Sequence, residues 1–319
     1  SVPPLYLIDA SIYIFQAHFS PHTQDWSTRS EDRSAFVGFA RFLLRFLRTT
    51  QLRQSASVAV AFDESLQSGF RHRLYAAYKS NRVLPDDNLA RQLKACVELC
   101  TALGVPAFAS QEFEADDIIG TLSARWRALA THEAAAVTIV SRDKDLSQLL
   151  NEPGDRLWDF YGGIRKNRED IFNHTGIWPE QFPCYIGLTG DSIDCIPGVP
   201  GIGPVAARAL LQQYKNLDTV LAHIDQVPAL KIRGAQRCAD LLMTHQQQAL
   251  LSRTLATIIQ QVPMDESFAQ VTARDLQPRP PVIEAFESLM STMEIPTQEV
   301  RRLMTQLESI NVGGEMPAV

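Results

Sequence analysis

Glu114, Asp116 and Asp117 put three carboxylates within four residues of the stretch Glu112-Phe113-Glu114-Ala115-Asp116-Asp117-Ile118-Ile119-Gly120-Thr121-Leu122. Ala115, Ile118, Ile119 and Leu122 recur at i, i+3, i+4 and i+7, so the stretch reads as a helix with one apolar stripe, and the acids lie off it. An acidic first turn suits the positive end of a helix dipole, and taken alone the segment needs no further explanation. The rest of the chain supplies more carboxylates. Apolar runs end at Asp9 (after Leu5-Tyr6-Leu7-Ile8) and at Asp63 (after Val58-Ala59-Val60-Ala61-Phe62), and Asp143 and Asp145 follow Val137-Thr138-Ile139-Val140. A single strand-end aspartate is commonly a turn former or a helix cap. Four of them beside three further acids have a different usual reason, the holding of hard divalent cations.

The elements that must position these acids follow from the same runs. Residues 33–48 (Phe36, Phe39, Ala40, Leu43, Leu44, Leu47) and 87–103 have helical spacing, and Val105 to Ala109 is a further short run. Strands alternating with helices predict an α/β protein, a central mainly parallel sheet flanked by helices. Sites in such sheets form beyond the carboxyl ends of the strands, where all four strand-end aspartates fall. Residues 156–168 read as a hairpin turning at Gly162-Gly163.

Two other stretches bear on chemistry. From Phe70 to Leu84, basic and aromatic residues interleave (Arg71, Arg73, Tyr75, Tyr78, Lys79, Arg82). This is either a solvated segment whose long stems cover apolar surface or a phosphate-gripping one with aromatics for base stacking, and both readings stay open. Further on, the acidic pair Asp191 and Asp194 runs into Ile196-Pro197-Gly198-Val199-Pro200-Gly201-Ile202-Gly203-Pro204, after which helical spacing resumes. Glycines between two helices let backbone amides approach a phosphate, and this spacing favours a helix-hairpin-helix over a turn that needs Gly for steric reasons only. The chain from 215 onward is helical and less informative. Lys231, Arg233 and Arg237 read as surface, and 311–319 as a disordered tail.

With 319 residues, 45% hydrophobic and 21% charged, the chain has the composition of a soluble globular protein of one large or two small domains. No apolar run reaches membrane-spanning length and no signal-peptide pattern is present. The first residue, Ser1, points to processing or trimming. Five cysteines without a CxxC pair point to reduced thiols and a cytoplasmic setting. A net charge of −6 argues mildly against a nucleic-acid partner, but bound cations would cancel part of it. The cations are also clustered: Arg41, Arg45, Arg48 and Arg53 have no acid among them, nor do Arg71, Arg73, Lys79 and Arg82.

These segments together resemble the 5′ nuclease domain of bacterial DNA polymerase I and its relatives, the phage 5′ exonucleases and flap endonucleases. The resemblance is carried by Leu7-Ile8-Asp9-Ala10-Ser11, Phe62-Asp63, Phe70-Arg71 through Tyr78-Lys79-Ser80-Asn81-Arg82, Glu114-Ala115-Asp116-Asp117, Asp143-Lys144-Asp145-Leu146 and Gly190-Asp191-Ser192 through Ile202-Gly203. It runs from about residue 5 to about 260 and keeps the family's order. It implies a PIN-like core over 1–180 with a basic helical arch at about 68–90, and a helix-hairpin-helix subdomain over 181–310. It implies two divalent ions, Mg²⁺ or Mn²⁺: one surrounded by Asp9, Asp63, Glu114, Asp116 and Asp117, the other by Asp143, Asp145, Asp191 and Asp194. Lys79 and Arg82 would act at the scissile phosphate. Arg71, Arg73, Tyr78, Lys79 and Arg82 would line the DNA path, and Gly198, Gly201 and Gly203 would hold the duplex backbone with a potassium ion on their carbonyls.

The implied activity is metal-dependent hydrolysis near the 5′ end of DNA, as 5′-3′ exonuclease and flap endonuclease, by a monomer acting on a 5′ flap or a single-stranded 5′ end. The chain ends where a polymerase I would continue, so it resembles a free-standing or excised nuclease. Gln16, Arg142, Ile193, Cys195 and Val205 depart from the family's usual residues. Two other classes compete: a structure-specific DNA-binding protein whose catalysis has lapsed, and a metal-dependent phosphatase or phosphotransferase. Intact acids speak against the first. The second has no use for the basic segment and the glycine hairpin.

Overall fold

The structure is a computed structural model that describes residues 4–18, 31–50, 56–129 and 136–312. Arg53 lies outside the described residues. The chain opens with β1 (Leu5–Asp9), α1 (Ala10–His18), α2 (Ser34–Thr50) and β2 (Ser57–Asp63), followed by α3 (Phe70–Leu74) and α4 (Asp87–Ala102). Next come β3 (Ala107–Ser110), α5 (Ala115–Leu129), β4 (Val137–Val140), the hairpin β5 (Arg156–Asp159) and β6 (Ile164–Lys166), and α6 (Arg168–Thr175). The helices α7 (Phe182–Thr189), α8 (Pro204–Tyr214), α9 (Leu217–Ala222), α10 (Ala235–Thr244) and α11 (Gln246–Ala256) form a separate helical module. The pair α12 (Ile283–Thr292) and α13 (Thr297–Val312) closes the described chain.

The six strands form one sheet in the order β3-β2-β1-β4-β5-β6, parallel except for the β5–β6 hairpin. Buried on both faces, the inner strands are continuous apolar runs rather than alternating ones. Successive side chains still point to opposite faces. Ile8, Val60 and Val140 face the layer containing α2, while Leu7, Ala61 and Ile139 face the layer containing α5. Strand order reverses between β1 and β4, and that switch point is where an open parallel sheet leaves a crevice. Asp9 ends β1, and Ser141 to Asp145 follow β4, so the sequence pattern delivers its acids to that crevice.

Several expectations need correction. The amphipathic stripe of α2 is too narrow a description, because Phe36, Phe39, Phe42 and Phe46 are all fully buried between the sheet and other helices. Each such ring contributes roughly 1.5–3 kcal/mol of burial. α13 and α4 pack on α2, and α12 packs on α4, so that Phe286, Leu289, Met290, Leu303 and Leu307 of the last two helices join the same core. The last helices therefore pack on the α/β core and not on the helical module, as a single 181–310 unit would require. Arg41, expected in an unopposed basic cluster, gives two hydrogen bonds to Glu299, at 2.7 and 2.6 Å, and Arg45 lies over the Tyr161 ring.

The segment at about 68–90 is helical only at its two ends. Between α3 and α4 it forms a tight turn and then an extended stretch, with Lys79 in the left-handed region (φ +47°) that a continuous helix excludes. Asn311 and Val312 belong to α13 rather than to a disordered tail, and 313–319 lie outside the described residues. Among the described residues no helix is long and apolar enough to cross a membrane. All five cysteines are free thiols.

Candidate active site

Two acidic trios meet at the switch point. Asp9, Asp116 and Asp143 bring carboxylate oxygens within 4.8 Å of one another, and so do Asp145, Asp191 and Asp194. The first trio is built from the end of β1, the first turn of α5 and the residues after β4. Ser141, fully buried, ties two of its members together. Its hydroxyl donates to Asp9 Oδ2 at 3.0 Å and accepts from the Asp143 amide at 2.9 Å. The sequence reading passed over Ser141; its signal was a small hydroxyl residue directly after an apolar run and two positions before an aspartate.

The second trio spans two parts of the molecule, since Asp145 follows β4 whereas Asp191 and Asp194 follow α7. The Asp191–Ile196 loop is closed by a two-residue antiparallel bridge, with Gly190 and Cys195 in positive φ at its ends. Asp191 Oδ1 accepts from the Ile193 amide at 2.9 Å, and Asp194 Oδ1 accepts from Arg82 at 2.7 Å. Main chain and Arg82 thus orient these carboxylates.

Burial and crowding make both trios electrostatically costly. Burial, with Asp143 beside it, pushes Asp9 up to about 7, and burial with Asp143 and Asp194 does the same to Asp145. Asp116 is raised well above the ordinary carboxylate range for the same reasons. Asp145 Oδ1 is also buried without a hydrogen-bond partner. Clustered hard oxygen donors, with one unsatisfied, suit a hard divalent cation, whose charge would relieve the repulsion. The residues fit such ions.

The partition of the acids differs from the expected one. Asp143 groups with Asp9 and Asp116, while its Oδ1 also accepts from the Asp145 amide at 2.9 Å and so joins the two trios. Asp117 is fully buried and gives both oxygens to Arg71, so its place is structural: a guanidinium occupies the lone pairs that a metal would need. Asp63 and Glu114 join neither trio. Asp63 accepts from Ser65 at 3.0 Å and is raised by burial and by Glu114. Glu114 is encircled by cations and a phenol: Lys79 Nζ and Tyr78 Oη donate to it, as does Arg71 at 2.6 Å. Burial alone would raise Glu114, but Lys79 and Arg71 bring it down to about 2.

The DNA-facing expectations separate likewise. Arg71 is 3% exposed and Tyr78 4%, so neither side chain is available to a nucleic acid surface. Arg73 is exposed and pairs with Glu112. Lys79 is held at the trios: burial opposes its charge, while Glu114, Tyr78 and Asp194 keep its pKa well above the usual lysine value. Asp9, Asp63, Asp116 and Asp143 all feel its charge. Arg82, half-exposed, stands over Asp194. In the glycine hairpin, Gly198 (φ +60°) and Gly201 (φ +95°) need glycine, whereas Gly203 is extended and faces open space. Ser252 and Gln248 of α11 hold Gly198 through its amide (2.8 Å) and its carbonyl (2.9 Å). Val205, Lys231, Arg233 and Arg237 are exposed.

A switch-point sheet bearing paired carboxylate trios, joined to a helical module that completes the second trio, defines a resolvase-like nuclease core with an appended helical fold. The first matching family model, "5'-3' exonuclease, N-terminal resolvase-like domain", covers residues 4–177, and "5'-3' exonuclease, C-terminal SAM fold" covers 177–279. The chain belongs to the 5′-3′ exonuclease family. It is 30% identical over 276 residues to a 5′-3′ exonuclease of Buchnera aphidicola, covering 85% of this chain and 91% of that protein. It is 35% identical over 268 residues to DNA polymerase I of Rhizobium leguminosarum, covering 82% of this chain but only 25% of that protein. The chain thus spans about a quarter of that polymerase. Zinc-bound T5 5′-exonuclease shares the fold, with a TM-score of 0.60 at 19% identity over 96% of this chain and 99% of that one.

Proposed function

We propose that the chain is a structure-specific 5′ nuclease that hydrolyses phosphodiester bonds near the 5′ end of DNA, as 5′-3′ exonuclease and flap endonuclease. The observation that carries this is the pair of abutting acidic trios with Lys79 and Arg82 beside them. Asp9, Asp116 and Asp143 would hold one divalent cation, Mg²⁺ or Mn²⁺, and Asp145, Asp191 and Asp194 a second. Asp63 raises Asp9 and Glu114 raises Asp116 electrostatically, and both would take part through water. Two such ions supply Lewis acidity that activates water and neutralises the attacked phosphate.

The chain's own groups do the rest. Ser141 fixes the Asp9 and Asp143 carboxylates, and Glu114 aims the Lys79 ammonium at the space where a phosphate would meet the trios. Arg82 adds a second cation at Asp194. In the Gly198–Gly203 hairpin the Gly198 amide is taken by Ser252, so Gly201 and Gly203 would meet the duplex backbone, with K⁺ on the hairpin carbonyls. The Buchnera relative is named a 5′-3′ exonuclease, and a T5 flap endonuclease of this fold has been seen with DNA and metal ions. Both support a metal-dependent 5′ nuclease acting on DNA. The proposed partner is a 5′-flapped or 5′ single-stranded duplex, the proposed acting form a monomer and the proposed setting the cytoplasm.

The test is cleavage of a 5′-labelled flap duplex with Mg²⁺ or Mn²⁺ and with EDTA, followed by sizing of the products. Metal-dependent release of short 5′ fragments is expected. Salt-sensitive binding without cleavage would leave a DNA-binding protein instead, and hydrolysis of small phosphate monoesters without regard to flap structure would leave a phosphatase.

A further inference from the structure

We propose that Arg71 is a positioning residue: with Asp117 it sets the helical module against the nuclease core, and so the geometry of the second acidic trio. The guanidinium is buried and fully used. Nη1 and Nη2 donate to Asp117 at 2.7 and 2.8 Å, and Nη1 donates to Glu114 at 2.6 Å. Nε donates to the Leu255 carbonyl at 2.9 Å and Nη2 to the Thr257 carbonyl at 2.8 Å.

Those carbonyls belong to the segment by which the chain leaves α11 and returns to the core. Its neighbouring backbone groups are also taken by core side chains. Gln148 donates to the Ala256 carbonyl and accepts from the Ile258 amide, both at 3.0 Å, and Asp117 Oδ1 accepts from the Ile259 amide at 2.9 Å. From Leu255 to Ile259 the main chain is fastened by Arg71, Gln148 and Asp117 and makes no strand ladder. Arginine suits this place because its planar fork reaches a carboxylate and two carbonyls at once, which an ammonium cannot do.

The path from this bracket to the trio is short. The α11 helix packs along α7, and α7 ends at the glycine that precedes Asp191. α11 also carries Ser252 and Gln248, which hold Gly198 of the hairpin. Asp145 comes from the core and Asp191 and Asp194 from the module, so a shift between the two opens the second trio while the first, wholly within the core, stays closed.

The inference rests on reading the trios as cation sites. The test compares wild type, Arg71→Lys and Gln148→Ala for Mn²⁺ binding without DNA, for kcat and KM on a flap duplex, and for the salt dependence of DNA binding. Each variant is expected to bind one of two Mn²⁺ ions about 10-fold or more weakly, the size of loss seen when supports of metal ligands are removed. Turnover falls correspondingly, while KM and the salt slope stay at wild-type values. Gln148→Ala leaves the Arg71 ion pairs intact, so it carries the test if Arg71→Lys does not fold. Unchanged Mn²⁺ affinity and turnover in folded variants overturn the inference alone. So does a salt slope reduced by about 1 with kcat unchanged, which marks a phosphate contact. A wild-type chain that binds no Mn²⁺ overturns the proposed function and this inference with it.

Discussion

The backbone amide of Lys79 donates to the carbonyl of Asp194 at 2.9 Å, joining the core's basic turn to the acidic loop of the helical module. Lys79 adopts positive φ to do so, and Asn81 adds a side-chain bond to the Ile193 carbonyl at 3.1 Å. The cation and the acids it serves are thus held by one main-chain contact. Lys79→Ala is expected to lower single-turnover cleavage by about 10²–10³-fold, as loss of a charge-stabilising group does. Its affinity for flap DNA should stay within a few-fold of wild type, measured by equilibrium binding in Ca²⁺. Cleavage at the wild-type rate would remove Lys79 from the site.

Ser141→Ala should weaken the first trio specifically. The variant loses the bond to Asp9 and leaves the Asp143 amide without its acceptor, at a cost of about 1–3 kcal/mol for a buried group. Urea denaturation measures that loss, and Mn²⁺ titration should show affinity reduced by about 10–100-fold. Unchanged values in both measurements would show that Ser141 does not organise the acids.

Gly120→Ala reverses the usual rule for a glycine in a helix. Alanine normally stabilises such a position by roughly 0.5–1 kcal/mol. Here the new Cβ would fall 2.7 Å from Ile258 Cγ2 and 2.8 Å from the Ile259 carbonyl, wedging the return segment away from α5. Destabilisation by about 1–3 kcal/mol is expected, read as a lower urea midpoint. A raised midpoint would mean that the return segment is not packed as described.

Removing residues 281–319 should cost the fold more than its position at the end of the chain suggests. α13 packs on the Phe-rich α2 and α12 on the neighbouring α4, both closing the same core, and Glu299 holds Arg41. The shortened chain is expected to aggregate or to bind a hydrophobic dye strongly, because a large apolar face would be exposed. A soluble, cooperatively unfolding product would contradict the packing role.

What the sequence revealed and what it hid have a common cause. Strand ends at Asp9 and Asp63, and just before Asp143, were legible because uninterrupted apolar runs mark buried parallel strands. The hairpin glycines were legible because Gly198 and Gly201 need positive φ. The division of labour among the acids was not. Asp116 and Asp117 are adjacent, and only Arg71, 46 residues away, decides that Asp117 is a buried ion-pair partner. The basic and aromatic residues from Phe70 to Leu84 left two readings open and the family resemblance implied a DNA path, yet Arg71 and Tyr78 turn inward onto Glu114, which no local spacing could reveal. The basic arch implied at about 68–90 is helical only at its ends, because Lys79 takes positive φ where its amide bonds the Asp194 carbonyl.

The most direct test of the central claim is the anomalous scattering of Mn²⁺ in crystals of the protein. Two peaks are expected, one among Asp9, Asp116 and Asp143 and one among Asp145, Asp191 and Asp194, and Asp145→Asn should remove the second alone. No peak at either trio in crystals soaked in millimolar Mn²⁺, or Mn²⁺ bound only elsewhere, would contradict a two-cation nuclease.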